Sequence, residues 1–368
     1  MYIYQNQDWP NFNWNQEKIL KKLSEVKLAQ GWLLGKMESL GFSLQKEAVL
    51  NTLTQDVLKS SEIEGEKLDT EQVRSSIARR LGIDTGGDVH VERNVEGIVE
   101  MMLDAINNYS QPLTKDRLLG WHASLFPTGY SGMYKIEVAK FRDDKNGPMQ
   151  VVSGPIGKEK VHYQAPDAVY LDSEITRFLD WFNNENNLDG VIKAAVAHLW
   201  FVTLHPFDDG NGRIARTLTD MLLAKAENTN QRFYSMSAQI RKERKLYYDT
   251  LEKTQKDSLD ITNWILWFLD CLLNAIDSSK DTLEIIFNKA VFWQQYSNKV
   301  LNERQNKVIN KLLDGFEGNL TSSKWAKLCK CSQDTANRDI SDLIDKNMLI
   351  KAGAGRSTHY ILNIGNKN

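Results

Sequence analysis

Residues 205–216 constrain the fold of this chain more than any other segment, because they place a polar loop between two apolar helical stretches. They read His-Pro-Phe-Asp-Asp-Gly-Asn-Gly-Arg-Ile-Ala-Arg. Proline disfavours helical geometry in the residue before it, so the helix predicted over 189–204 ends at His205-Pro206. The next helix is predicted to begin at about Asn211. The chain is therefore expected to pack two consecutive helices and to carry its most polar turn between them.

This turn has the composition of a phosphate site. The first turn of a helix offers unpaired N–H groups and the positive end of the helix dipole, which together bind anions. Gly210 and Gly212 would let backbone amides approach a pyrophosphate without obstruction by Cβ. Arg213 and Arg216 share one helix face and could clamp successive phosphates.

The same loop also contains candidates for proton transfer and metal binding. His205 has an ordinary pKa suited to removing a proton from an attacking hydroxyl. Asp209 could hold Mg²⁺, which is usually bound by one or two carboxylates together with phosphate oxygens. Phe207 is expected to anchor the loop in the core. Taken alone, each of these features has an ordinary explanation: the histidine as a helix cap, the arginines as solvated side chains and Gly-Asn-Gly as a turn. Their joint occurrence favours a site that transfers a phosphate-linked group.

Most of the remaining chain has helical periodicity, and the predicted fold is mainly α. Helices are predicted over 16–40, 43–63, 92–107, 115–125, 166–183, 189–204, 211–226 and 242–253. Two short extended runs, 149–152 and 160–163, flank a Ser-Gly-Pro-Ile-Gly turn and predict a β-hairpin. This hairpin is expected to be the only sheet element of the helical domain.

The C-terminal part resembles a winged helix. Helices predicted over 304–313, 322–328 and 332–345 precede a two-stranded hairpin. Its basic residues could contact DNA phosphates, namely Lys324, Lys327, Lys330, Arg338, Lys346, Lys351 and Arg356. However, four carboxylates along the last helix would repel DNA, namely Asp334, Asp339, Asp342 and Asp345. The alternative role is contact with another protein, including formation of a homodimer.

Composition limits the classes of protein to which this chain could belong. The chain has 368 residues, enough for two or three domains, and a formal charge of −2 that gives no general attraction to nucleic acid or membrane. Its three cysteines cannot form a disulfide framework. We expect no signal peptide, no membrane span and a cytoplasmic location, because the N-terminus lacks a basic flank and the most apolar segment is short.

The pattern His-x-Phe-x-Asp-Gly-Asn-Gly-Arg-x-x-Arg at 205–216 resembles the signature of Fic-domain proteins at every position. The resemblance extends from about Ser60 to Gln255. Within it, the segment Lys140-Phe-Arg142 and the predicted hairpin match the family's flap region. The first forty or so residues also look like a helical region attached to some bacterial Fic proteins.

This resemblance implies transfer of AMP from ATP, the co-substrate, to a Ser, Thr or Tyr hydroxyl of a target protein or of the chain itself. His205 would be the general base and Asp209 the Mg²⁺ ligand. The anion hole would comprise Gly210, Asn211, Gly212 and Arg213, with Arg216 also contacting the nucleotide. Other residues at the nucleotide would be Ser153, Gly154, Pro155, Ile156, Tyr247, Tyr248 and Gln255, the last standing where relatives often carry Asn. The target would pair with the flap hairpin by β-augmentation. The ordinary alternative is that the hairpin is only a loop on the protein surface.

An upstream segment resembles the family's inhibitory motif. Residues Ser60-Ser-Glu-Ile-Glu64-Gly65 match Ser/Thr-x-x-x-Glu-Gly/Asn. The resemblance implies that Glu64 pairs with Arg216 and prevents ATP from placing its γ-phosphate productively. Glu64 could also orient a water that removes AMP from a modified target. Without the downstream signature, a glutamate before glycine would be an ordinary helix C-terminus.

Several alternatives remain open at this stage. Kinase-like Doc relatives carry Lys where this chain has Gly212, which favours AMP transfer here. UTP and GTP remain open as donors, because only a few residues select the base, whereas phosphocholine transfer is less favoured without further features. A DNA-binding regulator with a nucleotide-sensing Fic domain is the principal alternative, and a toxin is a further one. The predicted domains are an N-terminal inhibitory region (1–90), a Fic catalytic domain (91–280), a helical linker (281–301) and a winged helix (302–368).

Overall fold

The computed structural model describes residues 1–83, 89–145, 147–155, 157–313, 315–316 and 318–363. The fold is mainly α-helical, as predicted, and the chain forms two compact units. The first comprises Met1–Gly35 and Val49–Ser278, and the second comprises Lys36–Ala48 and Ser279–Asn368. Among the described residues, none of the helices combines the length and apolar composition that crossing a bilayer requires.

Eleven helix ranges precede the C-terminal part of the described chain. They are α1 Gln16–Glu38, α2 Phe42–Ile63, α3 Thr70–Leu81, α4 Arg93–Asn107, α5 Lys115–Leu125, α6 Leu171–Asn184, α7 Gly190–Leu204, α8 Asn211–Glu227, α9 Met236–Lys242, α10 Arg244–Gln255 and α11 Thr262–Gln295. The predicted bounds agree closely with α2, α4, α5, α7 and α8, where capping residues or proline mark the ends. The helix α9 was not predicted, and of the long helix α11 only the part from 281 to 295 was predicted as helical, within the region 281–301.

Two antiparallel hairpins lie between α5 and α6. In the first, β1 (Tyr130–Ser131) pairs with β2 (Tyr134–Lys135). In the second, β3 (Gln150–Ser153) pairs with β4 (Lys160–Gln164), and the register shifts between Val151 and Val152. The predicted flap hairpin is therefore present, but the expectation that it is the only sheet element is wrong. The strands β1 and β2 are too short to produce a period-two pattern in the sequence.

The centre of the first unit is the pair α7 and α8, which pack against each other. Every residue of α7 from Val191 to Leu204 is buried, because this helix is surrounded by other helices. In α8 the buried set includes both arginines of the sequence motif, Arg213 and Arg216. The loop 205–210 therefore starts and ends in tightly packed helices, which hold it in one conformation.

A buried polar network joins α2 to the segment that follows α8. The carboxylate of Asp56 on α2 accepts hydrogen bonds from the Ser235 hydroxyl and from the Ser237 amide, the latter at 3.3 Å. Close to it, the Arg232 guanidinium lies 2.9 Å from Glu227 and 3.4 Å from Asp220. Burial raises the pKa of Asp56 to about 6. The network fixes the C-terminal half of α2 beside α8.

The second unit ends with three helices and a hairpin, in the predicted order. These are α12 Glu303–Leu313, α13 Ser322–Cys329, α14 Gln333–Asp345, β5 Leu349–Ala352 and β6 His359–Leu362. Trp325 is fully buried in their core, together with Ile309, Ile340 and Met348. Leu320 forms an additional isolated antiparallel bridge with Tyr360 of β6.

The compact units differ from the predicted domain boundaries. The predicted division at residue 90 does not separate two units, because α2 joins the buried network beside α8. The predicted linker 281–301 includes Phe292 and Tyr296, which are buried in the core of the second unit. Residues 281–301 therefore lie within the second compact unit.

Candidate active site

The polar loop begins with an unusual backbone conformation at His205. The residue has φ 49° and ψ 55°, in the left-handed region that non-glycine residues rarely adopt. Buried Arg142 holds this conformation, because its Nε donates to the His205 carbonyl at 2.8 Å and its amide donates to the Pro206 carbonyl at 2.9 Å. Arg142 is itself fixed by Asp144 at 2.6 Å. The flap-region arginine thus orients the histidine through the backbone.

The His205 ring is prepared to accept a proton. Its Nδ1 lies 3.3 Å from the Val202 carbonyl, and because a carbonyl only accepts, Nδ1 must carry hydrogen. Burial lowers the pKa of His205 to about 4, so the ring is neutral at pH 7. The Nε2 lone pair is therefore available. The ring lines a cavity of about 530 Å³.

The helix α8 begins directly after this loop. Gly210, the N-cap, has φ 83°, which a residue with Cβ would adopt only with strain. The Asn211 side chain bridges the Phe207 amide, at 3.0 Å, and the Phe207 carbonyl, at 2.8 Å. Within the described part of the chain, the amides of residues 211–213 donate to no acceptor. The loop is closed by the asparagine side chain, and the helix keeps its first amides free for an anion.

Arg216 is paired with the upstream motif. Its Nη2 lies 2.7 Å from Glu64 Oε1, and its Nε and Nη2 also donate to the Ser60 hydroxyl and carbonyl at 2.9 and 3.0 Å. The guanidinium is 2% exposed and the Glu64 side chain is 29% exposed, so the arginine is shielded from water and the carboxylate is shielded only in part. Gly65 follows Glu64 in the turn after α2. The predicted residues Ser60, Glu64 and Arg216 are thus in direct contact.

The Glu64 carboxylate also covers the first turn of α8. A Cβ added to Gly212 would lie 2.3 Å from Glu64 Oε1 and 3.2 Å from Arg216 Nη1. A side chain at position 212 would therefore displace the Glu64 carboxylate from this place. The carboxylate occupies the space immediately in front of the arginine and the helix start.

Arg213 has its own acidic partner, which the sequence analysis missed. Its Nη1 lies 2.8 Å from Glu66 Oε2, and its guanidinium stacks over the Phe126 ring at 4.9 Å. The Asp209 carboxylate is farther, at 3.9 Å from Nη2. No sequence motif indicated Glu66, because its contact depends on the turn at Gly65 directing the chain back toward α8.

Asp209 is the candidate magnesium ligand. It lines the cavity and accepts hydrogen bonds from the Gly210 amide at 2.6 Å and from the Ser131 hydroxyl of β1. Among the described residues, no group of three or more His, Cys, Asp or Glu side chains could hold a metal by itself. A single accessible carboxylate fits Mg²⁺, which takes most of its ligands from phosphate oxygens and water.

A second histidine, the buried His122, holds the loop in place through hydrogen bonds. His122 Nδ1 accepts from the Ala139 amide at 3.1 Å, and its Nε2 donates to the Asp209 carbonyl at 3.2 Å. Its ring stacks on Phe207 at 4.2 Å, and both side chains are fully buried. The predicted core role of Phe207 is confirmed. His122 carried no signal in the sequence, because nothing near it suggested a partner 87 residues later.

The cavity brings together part of the predicted nucleotide site. Ser153, Tyr247, Tyr248 and Gln255 line it, together with His205, Asp209, Asn211 and Gly212. Tyr247 is buried and its hydroxyl lies 3.0 Å from His198, while Gln255 Nε2 donates to Thr203 at 3.2 Å. Gly154 and Pro155 are exposed in the hairpin turn, and in the described chain they are not among the lining residues. Ile156 lies outside the described residues.

Three family models match this chain. Residues 112–223 match the Fic/DOC family, residues 2–83 match a domain of unknown function (DUF4172), and residues 313–363 match the C-terminal domain described as transcriptional regulator DIP2311-like. The Fic/DOC match covers α5, both hairpins, α7, the 205–216 loop and most of α8. The motif that carries the resemblance thus lies inside the matched region.

Curated relatives are similar over part of their length. Protein adenylyltransferase Fic of Culex quinquefasciatus is 26% identical over 238 residues, covering 63% of this chain and 42% of that protein. Protein adenylyltransferase fic-1 of Caenorhabditis elegans is 39% identical over 59 residues, covering 16% of this chain and 12% of that protein. The matched regions therefore span less than half of either relative.

A solved structure has a similar fold along the whole chain. The crystal structure of a Fic family protein from Desulfovibrio desulfuricans G20 has a TM-score of 0.56 and 19% identity, covering 98% of this chain and 99% of that chain. The sequence motif, the matched family model and this shared fold agree. The chain therefore contains a Fic/DOC domain.

Proposed function

We propose that this protein is an adenylyltransferase that transfers AMP from ATP to a protein hydroxyl and that Glu64 inhibits it. The observation that carries the proposal is the arrangement at the start of α8. A neutral His205, free helix amides and the Arg216–Glu64 pair meet there beside one cavity. The names of the curated relatives, which are protein adenylyltransferases, support the same activity.

In this proposal the amides of Asn211, Gly212 and Arg213 bind the phosphate oxygens, and Arg213 and Arg216 balance their charge. His205 Nε2 removes the proton from the incoming hydroxyl as its oxygen attacks the α-phosphorus. Asp209 would hold Mg²⁺, which would neutralise charge on the phosphates and the departing pyrophosphate. Arg142 keeps the imidazole directed into the cavity by fixing the His205 backbone.

Glu64 blocks this arrangement by occupying the phosphate position. Its carboxylate lies against Gly212 and Arg216, so a γ-phosphate must displace it to reach the arginine. Arg216 is 2% exposed, so removal of Glu64 leaves a buried charge without its carboxylate partner, which is costly when nothing replaces it. The γ-phosphate could replace Glu64 and offset that cost. Glu64 could also orient a water for removal of AMP from a modified target.

The acceptor would bind at the flap. In the described sheet β3 pairs with β4 on one side, so an extended target segment could pair with a free backbone edge. Tyr247, Tyr248 and Gln255 would contact the base, which makes ATP the first nucleotide to test, with UTP and GTP as comparisons. Gly212 supports AMP transfer over phosphate transfer, the reaction of relatives with Lys at this position.

Substitution Glu64→Gly is expected to raise incorporation of label from ATP radiolabelled at the α-phosphate. The increase should be at least tenfold, which corresponds to about 1.4 kcal/mol in the barrier. The matched control is Glu62→Gly, because Glu62 pairs only with Lys59 and Arg241 at the surface among its described contacts. Equal labelling by both variants would remove the inhibitory assignment.

Substitution His205→Ala, introduced into the Glu64→Gly protein, is expected to reduce AMP transfer to other proteins by roughly a hundredfold or more, the usual contribution of a general base. Binding of Mg·ATP should persist, because the phosphate contacts do not use the imidazole. The control is His90→Ala, whose ring is exposed. Because the pKa of His205 is about 4, transfer by the parent should fall only as pH decreases through that value. Undiminished transfer by His205→Ala refutes the base assignment.

The C-terminal part of the second unit supports a second candidate function, nucleic-acid binding. The name of the family model that matches residues 313–363 refers to a transcriptional regulator. Two of the carboxylates expected to repel DNA are neutralised, because Asp339 lies 2.7 Å from Arg304 and Asp342 lies 2.5 Å from Lys346. Lys324 and Lys327 on α13 remain exposed. A winged helix with this charge distribution could contact a phosphate backbone.

The double substitution Lys324→Ala, Lys327→Ala is expected to weaken DNA binding in a gel-shift titration. If both lysines contact phosphates, the slope of log K against log salt should fall by about two. The same charge change at Lys18 and Lys21, which are exposed on α1, provides the control. Equal DNA binding by all three proteins would exclude α13 as a DNA contact.

A further inference from the structure

A second set of reactive side chains lines the cavity beside His205. Ser153 is on β3, His162 on β4 and Glu252 on α10, and all three line the cavity. Ser153 Oγ lies 2.5 Å from His162 Nε2, and His162 Nδ1 lies 2.7 Å from Glu252 Oε2. The three residues form a continuous hydrogen-bonded chain from three separate elements.

This chain has the order of a nucleophile, a base and an orienting carboxylate. A serine hydroxyl is a weak nucleophile unless an adjacent base removes its proton. Lys256, at 2.6 Å, and His162 hold the pKa of Glu252 at about 2, so its carboxylate is ionised and accepts the Nδ1–H of His162. The Nε2 lone pair of His162 then faces the Ser153 hydroxyl. The serine is exposed, so its oxygen is free to attack a bound molecule.

The cavity that Ser153 shares with the proposed ATP site determines which electrophile the serine could attack. The cavity is also lined by His205, Asp209 and Gly212, the residues proposed above to surround the phosphates of ATP. A nucleophile and an electrophile held in one cavity react without the entropy cost of a bimolecular encounter. A nucleotide bound in this cavity would bring its α-phosphorus into the space that the Ser153 hydroxyl lines.

We propose that Ser153 is a site of self-adenylylation, with His162 as the proton acceptor and Glu252 as its positioning residue. The inference rests on the proposed transfer of AMP from ATP. Ser153 Oγ forms a bond to the α-phosphorus, the bond from that phosphorus to the α–β bridging oxygen breaks, and pyrophosphate leaves with the bonding electrons. The hydroxyl proton passes to His162 Nε2. The attached AMP then lies on the flap, at the edge where a target would pair.

The test uses the full chain with Glu64→Gly, incubated with ATP and Mg²⁺ and mapped by peptide mass spectrometry. The expected result is one added AMP on Ser153, formed with a rate constant that does not depend on protein concentration, as transfer within one molecule requires. Ser153→Ala should lose this adduct. The matched control Ser173→Ala, at an exposed serine on α6, should keep it.

To test the roles of His162 and Glu252, the measurement must distinguish an effect on AMP transfer to Ser153 from an effect on the stability of the flap. His162→Gln and Glu252→Gln should lower the ratio of Ser153 adduct to adduct on other proteins by roughly tenfold or more, because transfer to other proteins uses His205. Glu252→Asp, which keeps the carboxylate, should restore the ratio. A residue that only held the flap in place would lower both adducts together, and this result would overturn the proposed roles.

The outcomes distinguish this inference from the proposed function. Label on other proteins with Ser153 unmodified would overturn the inference and leave adenylyl transfer standing. Absence of label from every protein would overturn the proposed function and the inference with it. A Ser153 adduct whose formation rate constant increases with protein concentration would overturn transfer within one molecule.

Discussion

The ion pair between Glu64 and Arg216 is the interaction on which the site depends. It joins the end of α2 to the start of α8, at 2.7 Å, with the arginine almost completely buried. Both partners are held by structure outside the pair: Ser60 accepts two hydrogen bonds from the arginine, and Asp56 fixes α2 beside the segment after α8. A carboxylate held this way lies beside the first turn of α8, where the helix dipole favours a negative charge.

The proposed base, His205, is positioned by the same principle, through backbone contacts made by buried side chains. Arg142 holds the His205 carbonyl, Asn211 closes the loop at Phe207, and His122 supports the Asp209 carbonyl. A non-glycine residue in the left-handed region costs about 1–3 kcal/mol, which these contacts must offset. Strain of this kind is common at functional sites, where it directs one side chain into a cavity.

The helices and the 205–216 loop could be predicted from sequence because their signals are local. Proline at 206, glycines at 210 and 212 and the apolar run of α7 each act on neighbouring residues. Glu66, His122 and Ser131 could not be predicted, since their partners are distant in sequence and follow no spacing rule. The predicted division at residue 90 differs from the compact units for a related reason: α2 is a separate helix in sequence, but its residues Asp56 and Ser60 are buried and bond to Ser235 and Arg216. The hydrogen-bonded chain through His162 was also missed, because it requires the hairpin register and α10 together.

The most direct test is a crystal structure of the Glu64→Gly protein with Mg²⁺ and a non-hydrolysable ATP analogue. We predict that the γ-phosphate contacts Arg216 in the position of the lost carboxylate. We also predict that the β-phosphate lies on the amides of residues 211–213 and that the α-phosphorus faces His205 Nε2. A nucleotide bound with its phosphates away from the start of α8, or with the imidazole turned from the α-phosphorus, would refute the proposed phosphate site and the proposed base.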